Sequence, residues 1–126
     1  MKKMKSHYLK KIPRKHLHKE FIKVLNGLLQ LSPREAEVLA LLMGLDENWR
    51  PVLGNEIKNI LSTDNRRALM RETLISKNNL IKYINVLKEK GLLLGDSQEG
   101  YSINPMFLPK ETSGIVEIVF TLDIEN

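Results

Sequence analysis

The chain has 126 residues, which is typical of a single domain, and its hydrophobic content of 42% is sufficient for a folded core. It contains no cysteine, which excludes a disulfide scaffold, a thiolate zinc site and a cysteine nucleophile. We find no apolar run near the ~18 residues that a membrane span requires and no hydrophobic stretch typical of a signal peptide. We therefore expect no membrane partner.

The net charge of +5 is concentrated in two segments. Residues 1–23 carry nine Lys or Arg and one Glu, and residues 58–90 carry eight Lys or Arg and three acids, whereas the chain after residue 23 is net acidic as a whole. Two basic segments favour a polyanionic partner, most simply nucleic acid. The alternative is a solubilising tail and a mixed helical surface.

We divide the chain into a basic flexible arm (residues 1–18), a central domain (19–109) and a C-terminal strand (110–126). The arm lacks apolar periodicity and contains all three histidines, with no further ligand at the spacing of a metal site. We therefore predict surface histidines, and no metal or other cofactor.

The first apolar stretch, residues 20–31, contains Asn26-Gly27. This dipeptide between apolar runs is a strong hairpin signal, because both residues tolerate the positive φ of a type I′ turn. We prefer a strand and turn here, and a helix is the competing interpretation because Phe21, Val24 and Leu28 also fit a helical period.

Ser32-Pro33-Arg34-Glu35 predicts a helix start with a capping box, and Gly44 predicts its end. A loop is expected over residues 45–54 and a short helix over 55–61. Further cap residues at 62–64 predict another short helix over 65–72.

Ser76 is the predicted cap of a basic amphipathic helix that ends at Gly91. Its buried stripe is expected to be Leu80, Ile84 and Leu87. Residues 92–94 and 101–104 flank the polar loop GDSQEG, so they predict a β-hairpin.

In residues 115–124, every even-numbered side chain is apolar, whereas the odd-numbered ones include apolar, polar and charged residues. This alternation is typical of a strand with one buried face. We expect this strand to pair with the first hairpin or with a second copy of the chain, giving a homodimer.

Two short helices joined by a tight turn, followed by a hairpin, are the pattern of a helix-turn-helix that offers its second helix to the major groove. Asn can pair with adenine and Lys with guanine, and arginines on the preceding helix are expected to contact phosphates. The candidate DNA-binding residues are Arg66, Arg67, Arg71, Ser76, Lys77, Asn78, Asn79, Lys82 and Tyr83.

The stretch RRALMRETLISKNNLIKYINVLKEKGLL, the wing tip at residues 96–100 and the strand YSINP resemble the winged helix-turn-helix superfamily. The chain looks most like the winged helices of bacterial and phage regulators and of plasmid-type replication initiators, over roughly residues 20–109. The resemblance implies an α+β winged helix that binds double-stranded DNA in the cytoplasm of a bacterium or phage-infected cell, in transcription regulation or replication initiation. The wing tip departs from the pattern because it carries acids and no Lys or Arg.

Two other functions remain open. Winged helices also serve as protein-interaction modules within viral or cellular assemblies, and the acidic wing favours that alternative. A metal-dependent nuclease would need several carboxylates that meet in space, and the sequence shows no such motif. We therefore expect a binding protein rather than an enzyme.

Overall fold

The computed structural model describes residues 9–51, 54 and 56–126. Within this part of the chain, helices α1 (Leu17–Leu29), α2 (Pro33–Asn48), α3 (Thr63–Thr73) and α4 (Lys77–Glu89) precede two antiparallel hairpins. The hairpins are β1 (Leu93–Asp96) with β2 (Gly100–Ile103), and β3 (Glu111–Thr112) with β4 (Ile115–Val116). Short 3-10 turns occur at Arg14–His16 and Pro105–Phe107. The predicted α+β class is confirmed, and the order of α2 to β2 is compatible with a winged helix.

Helix α2 is the centre of the core. It begins with the predicted capping box: the Glu35 N–H donates to Ser32 Oγ at 3.2 Å, and the Ser32 N–H donates to Glu35 Oε1 at 2.8 Å. Its buried apolar residues are Val38, Leu39, Leu42 and Met43. The predicted end at Gly44 is wrong, because the helix continues to Asn48 and buries the side chain of Asp46.

The segment predicted as a strand and turn at Asn26-Gly27 is helix α1, so the preferred interpretation is wrong and the competing one is right. Phe21 and Ile22 are buried at helical spacing with Leu25 and Leu29. The Asn26 side chain does not form a hairpin turn, because it accepts a hydrogen bond from the Leu31 N–H at 2.9 Å and donates to the Leu31 carbonyl at 3.2 Å. The asparagine thus closes the end of the helix, where Gln30 has a φ of 52°.

Residues 56–61 were predicted as part of a short helix, but they form no helix; Asn55, where that prediction began, lies outside the described residues. The segment runs beside β2. The Ile60 N–H donates to the Tyr101 carbonyl at 2.9 Å, and the Tyr101 N–H donates to Asn59 Oδ1 at 3.1 Å. Pairing with the hairpin satisfies backbone groups that a helix would otherwise satisfy.

The β1–β2 hairpin has the predicted position, with Leu93 opposite Ile103 and Asp96 opposite Gly100. Leu92, Leu93 and Ile103 are buried in the same core as α2 and α4. Gly91 ends the α4 unit with a φ of +74°, as predicted. The hairpin is therefore fixed to the end of α4 by apolar packing.

The C-terminal strand is much shorter than the predicted 115–124. Only Ile115–Val116 pairs, with Glu111–Thr112, across a turn in which Ser113 and Gly114 both have positive φ. Residues 117–126 form no regular structure, and Val119 and Leu122 are 77% and 85% exposed. The predicted pairing partner, a hairpin at residues 20–31, does not exist because that segment is α1.

The predicted arm (residues 1–18) overlaps the folded chain. Residues 1–8 lie outside the described residues, and Leu17 and His18 belong to α1. Arg14 pairs with Glu111 at 2.5 Å, and His18 Nε2 lies 2.8 Å from Glu47 Oε2. The second half of the predicted arm is thus in contact with both α2 and the last hairpin.

Candidate nucleic-acid interface

The connection between α3 and α4 consists of Leu74, Ile75 and Ser76. Leu74 has a φ of 57° and is 85% exposed, whereas Ile75 is buried in the core. Arg34 at the start of α2 donates from Nη1 to the Thr73 carbonyl at 2.8 Å. The angle between α3 and α4 is therefore set by a buried apolar residue and by a hydrogen bond from the central helix.

Both helices of this unit begin with a serine cap. The Asn65 N–H donates to Ser62 Oγ at the start of α3, and the Asn79 N–H donates to Ser76 Oγ at the start of α4, each at 3.2 Å. Ser76 is exposed, so its hydroxyl hydrogen is accessible to an acceptor in solution. The N-terminal end of α4 carries the partial positive charge of the helix dipole, which favours an anion nearby.

Four of the five predicted cations of α3 and α4 line two adjoining shallow grooves. Arg66, Arg67 and Lys77 line one groove together with Thr63, Met70, Leu80 and Ile81. Arg67 and Arg71 line the other together with Asp64 and Met70. The structure thus brings four of the predicted contact residues to one continuous surface, with a single carboxylate among the groove residues.

Most of these cations have no counter-ion. Within residues 9–51, 54 and 56–126, no ion pair is formed by Arg67, Arg71, Lys77 or Lys82, and the same is true of scattered exposed cations such as Lys19 and Lys110. What distinguishes the four is that they are grouped on two adjacent helices. Arg66 differs, since its Nε donates to the Leu61 carbonyl at 3.0 Å and it is half-buried. Its guanidinium is therefore anchored to the fold, and we assign it a supporting position at the edge of the surface.

The predicted residues of α4 do not share one face. A helix turns about 100° per residue, and the buried residues Leu80, Ile84 and Leu87 define the inward direction. Asn78 and Lys82 project opposite to it, and Lys77 lies at the edge nearest α3. Their contiguous exposed face, here called the outer face of α4, consists of Lys77, Asn78, Ile81, Lys82, Asn85 and, in the last turn, Glu89.

Two predicted residues lie away from this face. Asn79 and Tyr83, one helical turn apart, project on the other side of α4, and Tyr83 is half-buried against the core. The helical period places them well apart from the groove that Lys77 lines. We therefore assign Tyr83 to packing rather than to the outer face.

The wing tip is acidic and compact. Asp96 Oδ1 accepts from the Gln98 and Glu99 N–H groups at 2.9 and 2.7 Å, and these hydrogen bonds, with the nearby Lys88 ammonium, lower the pKa of the Asp96 carboxyl. Lys88 lies 5.4 Å from the centre of the Tyr101 ring. The lysine nearest the wing is thus held against β2, and the tip itself presents negative charge.

The candidate DNA-binding residues chosen from the sequence omitted three residues of this region: Arg34, Ile81 and Asn85. The helical pattern had already placed Asn85 on the exposed side of α4 and Ile81 at its flank, but neither was chosen as a candidate contact. Nothing in the sequence pointed to the contact of Arg34 with Thr73, because the two residues are 39 positions apart.

Other kinds of site have little support in the described ranges. Among residues 9–51, 54 and 56–126, no three His, Asp or Glu side chains are grouped so that they could hold a metal ion. In the same ranges, no helix has the length and apolar character needed to cross a membrane.

Comparisons with protein-family models, with curated proteins and with solved structures gave no match to this chain. The interface is therefore interpreted from its own residues.

Proposed function

We propose that the protein binds double-stranded DNA, with α4 in the major groove and the arginines of α3 on phosphates. The observation that carries this proposal is the set of cations without counter-ions at Arg67, Arg71, Lys77 and Lys82. Isolated cations on a surface cost little in water, but several of them on one convex helical unit create a positive potential that attracts a polyanion. An α-helix also fits the width of the major groove.

In this mode Lys77 and the Ser76 hydroxyl lie where the start of α4 enters the groove, and Asn78 and Lys82 face base edges. The acidic wing is not expected to enter the minor groove, because Asp96 and Glu99 would approach phosphates. Regulation of transcription or initiation of replication in the cytoplasm of a bacterium or phage-infected cell is the role most consistent with such a binding unit, and the winged-helix resemblance supports it.

The test is a salt titration of binding to duplex DNA followed by fluorescence anisotropy. Each phosphate contact that releases a counter-ion contributes about −0.9 to the slope of log K against log salt concentration, so three or four contacts predict a slope of about −3 to −4. Absence of binding at low salt, or binding that does not respond to salt, would refute the proposal.

A protein-interaction module is the second candidate, and the exposed apolar C-terminal segment favours it. Val119, Phe120, Leu122 and Ile124 are exposed in a segment with no strand partner in the described chain. If these residues join two copies of the chain, sedimentation should show that the wild-type protein is a dimer. The variant V119S/L122S, which replaces two of the exposed apolar residues, should then be a monomer. A dimer that survives this change, or a monomeric wild-type protein, would eliminate the segment as a homodimer contact.

A further inference from the structure

Ile81 is the one apolar residue of the outer face of α4, whose other members are lysines, asparagines and Glu89. It is 39% exposed and lies on the outer face of α4, with Asn78 one turn before it and Asn85 one turn after it. Lys77 and Lys82 flank the same position. A β-branched side chain in this position reduces the helix propensity slightly and is partly in contact with water, so local stability does not explain it.

Packing accounts for only part of the Ile81 side chain. Ile81 lies with Met70 and Leu80 along the groove between α3 and α4, and 39% of the residue remains exposed. The same groove contains Arg66, Arg67 and Lys77. Its apolar surface is thus directed to the place where the proposed polyanion would lie.

The chemistry of the outer face matches one kind of base pair. Adenine offers N7 and N6–H₂ in the major groove, which an asparagine amide can contact through two hydrogen bonds, and thymine offers a C5 methyl group, which favours an apolar side chain. Asn78 and Asn85 supply the amides, and Ile81 lies between them. Guanine-rich DNA has no methyl group to contact in this groove and would instead favour the lysines.

We propose that Ile81 is a specificity-determining residue that contacts thymine methyl groups, so that the outer face of α4 selects A·T pairs. This inference depends on the proposed DNA binding and goes beyond it, because binding through phosphates alone carries no base preference. The lysines and arginines supply the attraction, and the row Asn78, Ile81, Asn85 supplies the base preference.

The experiment measures anisotropy with three labelled hairpin duplexes about two helical turns long. One duplex has alternating A and T, the second has uracil in place of every thymine, and the third has alternating G and C. Uracil differs from thymine only by the C5 methyl group, so the first two probes differ in the group that Ile81 contacts. The protein is the full chain, as wild type and as the variants I81A, I81V and V24A.

Wild-type protein is expected to bind the thymine duplex about fourfold more tightly than the uracil duplex for each methyl group buried. I81A should bind both equally, whereas I81V should retain most of the preference. V24A is the matched control, because Val24 is an exposed β-branched residue on a different helix, α1. This substitution should leave the ratio of affinities for the thymine and uracil duplexes unchanged. Far-UV circular dichroism checks that each variant is folded.

Three results would overturn the inference. If wild-type protein binds tightly but has equal affinity for the thymine and uracil duplexes, the inference is refuted and the proposed DNA binding remains intact. The same holds if I81A keeps the wild-type ratio of affinities for these two duplexes. Failure to bind any of the three duplexes at low salt would refute the DNA-binding proposal itself, and the inference with it.

Discussion

Asp46 is expected to be the polar side chain on which the stability of the fold depends most. It is 4% exposed, and its two carboxylate oxygens have different partners. Oδ1 accepts from the Lys58 ammonium at 2.8 Å, and Oδ2 accepts from the Ile103 N–H at 2.8 Å. One carboxylate therefore joins α2, the segment beside β2 and β2 itself.

The cost of Asp46→Ala follows from these two bonds. The Ile103 N–H is buried, and a buried donor left without an acceptor costs about 1–3 kcal/mol. The bond to Lys58 contributes less, about 1 kcal/mol, because the lysine side chain is 36% exposed and can be hydrated when its partner is removed. We expect Asp46→Ala to lower the free energy of unfolding by about 3 kcal/mol.

Asp46→Asn separates the two contributions. The amide oxygen can still accept from the Ile103 N–H, but the amide NH₂ then faces the Lys58 ammonium. Both the hydrogen bond and the charge attraction to Lys58 are lost, and we expect a cost of about 1–2 kcal/mol. Urea unfolding followed by Trp49 fluorescence and circular dichroism measures both values. The control is Glu37→Gln, which removes an exposed ion pair with Arg34 and should cost less than about 0.5 kcal/mol. Equal, small effects of Asp46→Ala and Glu37→Gln would refute the structural role of Asp46.

Three further predictions concern backbone freedom and a surface ion pair. Gly27→Ala should raise the free energy of unfolding by about 0.5–1 kcal/mol in urea, because the residue is inside α1 and nothing lies within 4 Å of the added Cβ; a loss of stability would contradict this. Gly100→Ala should lower it by about 2 kcal/mol or more in the same assay, because φ is +83° and the Cβ would lie 2.2 Å from the Lys58 carbonyl oxygen; an unchanged midpoint would show that this close approach is wrong. The Arg14 guanidinium lowers the pKa of the Glu111 carboxyl. The pair should therefore stabilise the protein at pH values above the ordinary glutamate pKa. This stabilisation should be lost as the pH falls through the lowered pKa of Glu111. A carboxyl NMR titration should show the Glu111 pKa returning to its ordinary range in Arg14→Gln, and no change would exclude the contact in solution.

The parts of the fold that the sequence predicted correctly are those set by local signals. The capping box at Ser32, the caps at Ser62 and Ser76, and the stop at Gly91 each involve residues a few positions apart, and all four are present. The hairpin after α4 was found because glycine and polar residues separate two apolar runs. In these places local chemistry and tertiary packing favour the same structure.

The errors occurred where distant contacts override local preference. Asn26-Gly27 has the composition of a turn, but the apolar period of Phe21 to Leu29 packs α1 on α2, and Asn26 bonds to Leu31 instead. Residues 56–61 looked helical but pair with Tyr101, more than 40 positions later. Such pairings cannot be read from a short window of sequence.

The proposed interface divides in the same way. Lys77, Asn78 and Lys82 were identified from their position after the Ser76 cap, and they share a face because the helix has the predicted bounds. Tyr83 was assigned to DNA contact, but its ring packs against the core. Ile81 was predicted to lie beside the buried stripe, and it was not chosen as a contact because only polar and charged side chains and Tyr83 were considered.

The measurement that tests the proposed interface most directly compares two variants with the same net charge. K77E/K82E reverses two cations of the outer face, and R50E/K110E reverses two exposed cations that lie outside both basic segments. If α4 binds DNA as proposed, K77E/K82E should lose most of its affinity, and the salt slope should become shallower by about 2 units because two phosphate or base contacts are removed. R50E/K110E should retain a slope close to that of wild type. Equal losses in the two variants, or unchanged binding by K77E/K82E, would contradict the assignment of α4 as the DNA-reading helix.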